Sequence, residues 1–122
     1  MRRVAIVEDD PHIGPMISRV LKLEGFEPTV INDGTSAARR VSSGGYDAAI
    51  LDVMLPGKDG IEVLHELRHQ AETQELPIVM LSAKTDAKTT WEGWREGANY
   101  YMSKPFDPDE LVRVLRNVIT GT

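Results

Sequence analysis

The chain has 122 residues, enough for one domain with a buried core and too few for a second of ordinary size. Hydrophobic residues make up 41% of it and charged residues 27%, which is typical of a folded globular protein. It contains no cysteine, which excludes disulfide scaffolds, thiolate metal sites and cysteine nucleophiles. The formal net charge of −5 differs from the basic footprint of nucleic-acid-binding domains. We therefore expect a single domain over residues 1–122 that does not itself bind nucleic acid.

The apolar runs are too short for a membrane protein. Each is far below the roughly 20 residues needed to cross a bilayer. Met1-Arg2-Arg3 leads into one of them without the long apolar region and cleavage site of a signal peptide. We expect a cytoplasmic protein that does not associate with membranes.

The first elements are a buried strand and an amphipathic helix. The apolar run 4–7 predicts the strand. Asp10 and Pro11 are suited to be the N-cap and first residue of the helix, and Gly25 is a natural residue to follow its last turn.

The next elements repeat this alternation. Residues 29–31 predict a second strand, which we expect at a sheet edge because Pro28 cannot donate a ladder hydrogen bond. A short helix over 35–43 follows, and then the uniformly apolar run 48–51. A strand without polar alternation is expected to be covered on both faces.

The second half of the chain continues the pattern. Helices are predicted over 61–71 and 86–96, with a strand over 78–81 between them. Residues 100–102 give a fifth strand, and the last helix begins at Asp107. Five strands alternating with five helices predict an α/β fold, a doubly wound (βα)5 three-layer sandwich around a parallel five-stranded sheet.

Polar side chains follow four of the predicted strands. Glu8 and Asp9 follow the first, Asp52 the third, Ser82 the fourth and Lys104 the fifth. Ligands of open α/β sheets bind at this edge. Two carboxylates about 4 Å apart repel by roughly 4 kcal/mol at an effective dielectric near 20, so clustered acids require a cation. Oxygen ligands with open positions suit Mg²⁺, and with a lysine and a hydroxyl they can handle a phosphoryl group.

These positions resemble the receiver domain of two-component response regulators over essentially the whole chain. The matching motifs are Glu8-Asp9, residues 50–60 around Asp52, Ser82-Ala83 and Lys104-Pro105-Phe106. The resemblance implies a flavodoxin-like fold with strand order 2-1-3-4-5, the order of a chemotaxis member of this family that serves as a standard example. That order also places the second strand at an edge.

The resemblance implies that Asp52 is a phosphoacceptor. It would take a phosphoryl group from the phosphohistidine of a sensor histidine kinase or a histidine phosphotransfer protein and form an aspartyl phosphate. Asp9, Asp52 and the backbone carbonyl of Met54 would bind Mg²⁺, with Mn²⁺ as an alternative ion. Glu8 would act on the metal through water, and Lys104 would pair with the phosphate.

The resemblance also implies a signalling switch rather than a turnover enzyme, although one that assists its own phosphorylation and dephosphorylation. Ser82 and Tyr101 match the switch pair, and the Lys104–Pro105 bond is expected to be cis. Phosphorylation would change the face formed by the fourth helix, fifth strand and fifth helix. That face would control a downstream effector or a fused output domain. A phosphorylation-dependent dimer is compatible with this, although Asn99 and Tyr100 stand where many receivers carry acids.

Two enzymatic functions are alternatives. A Mg²⁺-dependent aspartyl-phosphate phosphatase also uses an Asp at a strand end, but Met54 stands where its general acid belongs. His65-Glu66-x-x-His69 fits the signature of zinc peptidases. The helical periodicity places both histidines opposite the apolar stripe, facing solvent, where adventitious zinc or nickel binding is the better interpretation.

Two further features bear on the output. An apolar Met54 cannot orient a hydrolytic water, so we expect slow self-dephosphorylation. Trp91 and Trp94 lie on one side of the predicted fourth helix. We favour packing against the sheet over partner binding for them, and both functions stay open.

Overall fold

The computed structural model describes residues 1–83 and 97–121. Within these ranges the strands are β1 (Arg3–Val7), β2 (Glu27–Ile31), β3 (Ala48–Asp52), β4 (Ile78–Ala83) and β5 (Tyr100–Lys104). The helices are α1 (Ile13–Leu23), α2 (Ala37–Ser43), α3 (Gly60–Arg68) and the C-terminal helix (Pro108–Thr120). The predicted helix over 86–96, with Trp91 and Trp94, lies outside the described residues.

The five strands form one parallel sheet in the order β2-β1-β3-β4-β5. This confirms the predicted fold class and strand order. β2 is an edge strand, as Pro28 predicted. Among the described residues, no helix has both the length and the apolar character required to cross a bilayer.

Each face of the sheet has its own hydrophobic core. Side chains of α2 and α3 pack against one face, together with Val7, Leu51 and Met80. Side chains of α1 and the C-terminal helix pack against the other face, together with Ile6, Ile50 and Leu81. Successive strand residues point to opposite faces, so these adjacent residues enter different cores. The central strands are therefore buried on both sides, which explains their uniformly apolar sequence.

The sequence predicts Asp10 as the N-cap of α1 and Pro11 as its first residue. The helix begins two residues later, at Ile13, because a turn precedes it. Asp10 nevertheless caps the turn. Its Oδ1 accepts hydrogen bonds from the backbone N–H groups of His12 at 2.7 Å and Ile13 at 3.1 Å. These are the second and third positions after Asp10, the donors that an N-cap side chain satisfies.

The end of α1 agrees with the sequence. Gly25 has a φ of +89°, its N–H donates to the Lys22 carbonyl at 3.1 Å, and the Phe26 N–H donates to the Leu21 carbonyl at 2.9 Å. This pair of bonds is a Schellman motif, which favours glycine at its left-handed position. The glycine turns the chain directly into β2.

Other boundaries differ from prediction by a few residues. β2 begins at Glu27 and β5 extends to Lys104, because pairing with neighbouring strands continues beyond the apolar runs. α2 begins at Ala37 rather than 35, since Asp33 accepts from the Ser36 N–H at 2.9 Å and forms a turn before it. α3 covers Gly60–Arg68 rather than 61–71.

Candidate functional site

Three carboxylates converge at the carboxyl ends of β1 and β3. Glu8, Asp9 and Asp52 each offer an oxygen, and these atoms all lie within 4.8 Å of one another. β1 and β3 are neighbours, with Val7 opposite Leu51, so the next residues of both strands meet. Glu8 and Asp52 are buried, with 2% and 3% of their surfaces exposed, while Asp9 faces solvent.

Lys104 reaches this cluster from the end of β5. Its Nζ lies 3.0 Å from Asp52 Oδ1 and 3.1 Å from Glu8 Oε2. Burial alone would lower the pKa of the Lys104 ammonium, but hydrogen bonds and charge from Asp52 and Glu8 outweigh it and raise that pKa. Lys104 is therefore a fixed positive charge between two buried carboxylates.

The surroundings of Glu8 disfavour its ionised form. Burial, with the hydrogen bond and charge of Asp52, raises the pKa of the Glu8 carboxyl. The Asp10 N–H, which donates to Glu8 Oε1 at 3.1 Å, and Lys104 act in the opposite direction without cancelling the rise. One lysine thus leaves the three-acid cluster with excess negative charge.

The donor set fits a hard divalent ion. It consists of carboxylate oxygens, its net charge is negative, and Asp9 opens it to solvent. Mg²⁺ prefers such a site, where one or two carboxylates bind it and waters or phosphoryl oxygens complete its shell. In the part of the chain that the structure describes, this is the only group of three or more His, Cys, Asp or Glu side chains that could hold a metal.

A close backbone contact fixes the loop after Asp52. The Gly60 N–H donates to the Val53 carbonyl at 2.8 Å, and a Cβ on Gly60 would lie 2.1 Å from the Asp52 carbonyl oxygen. Such a distance is far inside van der Waals contact, so glycine is required where α3 begins. The sequence analysis did not single out Gly60, because nothing in the sequence shows which backbone approaches it.

Met54 belongs to this loop, two residues after Asp52. Its side chain is 71% exposed. The loop is held at its far end by α3, where the Asp59 carboxylate accepts from the Glu62 N–H at 2.9 Å and Lys58 pairs with Glu66 at 2.8 Å. The segment that carries the Met54 carbonyl is therefore held by hydrogen bonds at Val53 and at the start of α3.

The predicted switch residues occupy neighbouring strands. Ser82 lies on β4, with 2% of its surface exposed, one residue beyond the pair formed by Asp52 and Leu81. Tyr101 lies on β5, is partly buried and packs against the core beneath α2 and α3. The Lys104–Pro105 bond is cis, as expected.

The His-Glu-x-x-His segment is not part of the acidic cluster. His65 is exposed on α3 and His69 is exposed at the C-cap of that helix, as the periodicity predicted. Glu66, which would be the general base of a peptidase, pairs with Lys58. Within the described residues no third carboxylate or imidazole joins the two histidines, so these residues do not form a peptidase site.

A hydrogen-bond network around Arg68 was not predicted from the sequence. Its guanidinium donates to the carbonyls of Gly97 at 2.9 Å and Thr73 at 3.0 Å, and to Asn99 Oδ1 at 2.9 Å. The same Asn99 oxygen accepts from the Ile78 N–H at 2.9 Å. The only signal in the sequence was the amide at 99, where many receivers carry an acid.

Comparisons with known proteins give one consistent family. The family model of the response regulator receiver domain matches residues 4–116. The DNA-binding response regulator MtrA of Mycolicibacterium smegmatis is 44% identical over 115 residues, which cover 94% of this chain and 49% of that protein. The chain thus spans about half the length of the curated relatives it matches.

Solved structures share the whole fold. A putative response regulator from Chloroflexus aurantiacus superposes with a TM-score of 0.92 at 36% identity, covering 98% of each chain. The receiver domain of the sensor histidine kinase PA1611 from Pseudomonas aeruginosa gives a TM-score of 0.90 at 32% identity and 98% coverage of each chain. In that structure a magnesium ion is coordinated in the active-site cleft.

Proposed function

The chain belongs to the response regulator receiver family of two-component systems, and from this premise we propose that it is a phosphoacceptor whose acceptor group is Asp52. The donor is a phosphohistidine of a sensor histidine kinase or of a histidine phosphotransfer protein. The observation that carries the proposal is the buried Asp52 carboxylate, held 3.0 Å from Lys104 and within 4.8 Å of two further acids.

The reaction needs a nucleophile and neutralisation of charge. An oxygen of Asp52 attacks phosphorus, the bond from phosphorus to the donor imidazole breaks, and the imidazole nitrogen keeps the electron pair. Lys104 supplies a positive charge beside the acceptor oxygen. Glu8, Asp9, Asp52 and the Met54 carbonyl would hold Mg²⁺, or Mn²⁺, which would neutralise charge on the phosphoryl oxygens.

The product is a switch rather than a turnover catalyst, because the phosphoryl group stays on the protein. We assign the response to Ser82 and Tyr101, on the adjacent strands β4 and β5. A shift of this pair would alter the face that we predict for the fourth helix, which lies outside the described residues, together with β5 and the C-terminal helix. That face acts on a downstream effector or a fused output domain. We place residues 1–122 in one receiver domain that works in the cytoplasm.

Phosphorylation of purified protein by acetyl phosphate tests the proposal. With Mg²⁺ present, intact-mass spectrometry is expected to show the addition of one phosphoryl group, and chelation of the metal should abolish it. Asp52→Asn is expected to remain unlabelled. Asp109→Asn, an exposed acid of the C-terminal helix, is the matched control and should label normally. Labelling of Asp52→Asn at the normal rate would overturn the proposal.

A further inference from the structure

The structure points to a second metal site, on α3 and separate from the acidic cluster. We propose that His65 and His69 together bind a borderline divalent cation such as Zn²⁺, Ni²⁺ or Cu²⁺. This inference does not depend on the proposed function, since neither histidine belongs to the acidic cluster.

The spacing places both side chains on one helix face. Residues four apart lie about one turn apart on the same side of an α-helix, with Cβ atoms roughly 5–6 Å from each other. The two imidazole rings have centroids 4.2 Å apart and are tilted by 35°. Two nitrogens bound to one Zn²⁺ at about 2.1 Å lie roughly 3–3.5 Å from each other, a separation that two rings this close together can reach.

One hydrogen bond already orients a ring for this purpose. The Nδ1 of His69 lies 2.7 Å from the His65 carbonyl oxygen. A carbonyl can only accept, so Nδ1 carries the hydrogen, and the neutral imidazole has its lone pair on Nε2. Histidines that bind metals usually donate their other ring N–H to such an acceptor, which fixes the tautomer and the ring orientation.

The surroundings favour a cation of this class. Both rings are exposed, so a bound ion keeps water in its remaining positions. Glu62 is exposed about one turn before His65, on the same face, and adds negative charge nearby. Imidazole nitrogens suit Zn²⁺, Cu²⁺ and Ni²⁺, whereas the all-oxygen cluster suits Mg²⁺, so ligand type separates the two sites.

Titration with Ni²⁺ tests the site. The untagged protein is first saturated with Mg²⁺ to occupy the acidic cluster, and Ni²⁺ binding is then followed by calorimetry. One Ni²⁺ per chain is expected to bind. His65→Gln and His69→Gln should each weaken binding by roughly tenfold or more, since each removes one of two protein ligands. His12→Gln, which changes the third histidine, just before α1, should bind as the parent does.

Two further measurements make the test specific. Paramagnetic Ni²⁺ should broaden the ring signals of His65 and His69 in the NMR spectrum before those of His12. Moving the second histidine one position, with His69→Gln and Gln70→His together, should weaken binding as much as His69→Gln does, although two histidines remain. Unchanged binding in His65→Gln and His69→Gln, or an equal loss in His12→Gln, would overturn the proposal. Circular dichroism of each variant checks that α3 is intact.

Discussion

Lys104 supplies a positive charge to the acidic site. Its ammonium lies 3.0 Å from Asp52 and 3.1 Å from Glu8, and both acids are buried. Removing one partner of a buried ion pair usually costs more than the pair contributes, because the remaining charge stays desolvated. Among the residues that the structure describes, Lys104 is the cation paired with both acids, so the local stability of the site depends on it when no metal is bound.

We expect Lys104→Met to lower the free energy of unfolding by about 3 kcal/mol in metal-free buffer, since two buried carboxylates lose their counter-charge. Methionine retains the apolar stem, so the loss reports charge rather than packing. Urea denaturation with chelator and with Mg²⁺ provides the measurement, and Mg²⁺ should recover part of the loss. Equal stability of the variant and the parent in chelator would contradict the role given to Lys104.

Met54 sets a second expectation at the scale of one residue. Its exposed thioether cannot position a water for attack on an aspartyl phosphate, whereas an amide can. Given the proposed function, Met54→Asn should shorten the lifetime of the phosphorylated protein severalfold. The decay is followed by intact mass after removal of acetyl phosphate. Met16→Asn, at a partly exposed position on α1, serves as the control and should leave the decay unchanged.

At the scale of elements, residues that cap helices could be predicted from the sequence, and residues that connect different elements could not. Asp10 and Gly25 act through neighbours in the chain, so their roles follow from local rules. Strand β5 extends further than its apolar run because β4 supplies ladder partners as far as Lys104. Gly60 is needed only because a distant strand end approaches it. Contacts of this kind, between residues that are apart in the sequence, produce no periodic pattern from which they could be predicted.

The start of α2 gives a pH-dependent prediction. Hydrogen bonds from the Ser36 backbone N–H and hydroxyl lower the pKa of the Asp33 carboxyl. A lowered pKa in the folded state means that the carboxylate stabilises the protein fully above its unfolded pKa, near 3.9, and that this is lost as pH falls through the folded pKa.

Asp33→Ala should therefore lower the thermal midpoint by a constant amount from about pH 5 to 7 and by progressively less below about pH 4. Thermal denaturation followed by circular dichroism across this range measures the difference between variant and parent. A gap that widened in acid would contradict the assignment of the stabilising charge to Asp33.

At the scale of the whole molecule, the sheet places residues that are distant in sequence together at the carboxyl ends of its strands. Arg68 separately connects α3 to the residues at the start of β5. The sequence indicated the first, because parallel strands place their carboxyl ends together and the acids follow those ends. It did not indicate the second, because Arg68 reads as an exposed residue of an amphipathic helix. Its hydrogen bonds to Gly97 and Asn99 connect the end of α3 to the start of β5.

We expect Arg68→Met to lower the free energy of unfolding by about 1–3 kcal/mol, because three acceptors lose a charged donor. Arg39→Met is the control, since Arg39 is an exposed arginine of α2, and it should change stability by less than about 0.5 kcal/mol. Chemical denaturation compares the two variants. A cost for Arg68→Met no larger than that of the control would contradict the structural role of the network.

The proline in the edge strand also affects how copies of this protein meet. The Glu27 N–H donates to the Arg2 carbonyl, so odd-numbered residues of β2 direct their peptide groups inward. Pro28 and Val30 then direct theirs outward, and Pro28 has no hydrogen to offer. A strand of another molecule that paired with the open side of β2 would lack one backbone hydrogen bond, at Pro28. The open side of β2 is therefore a poor template for pairing with a strand of another copy.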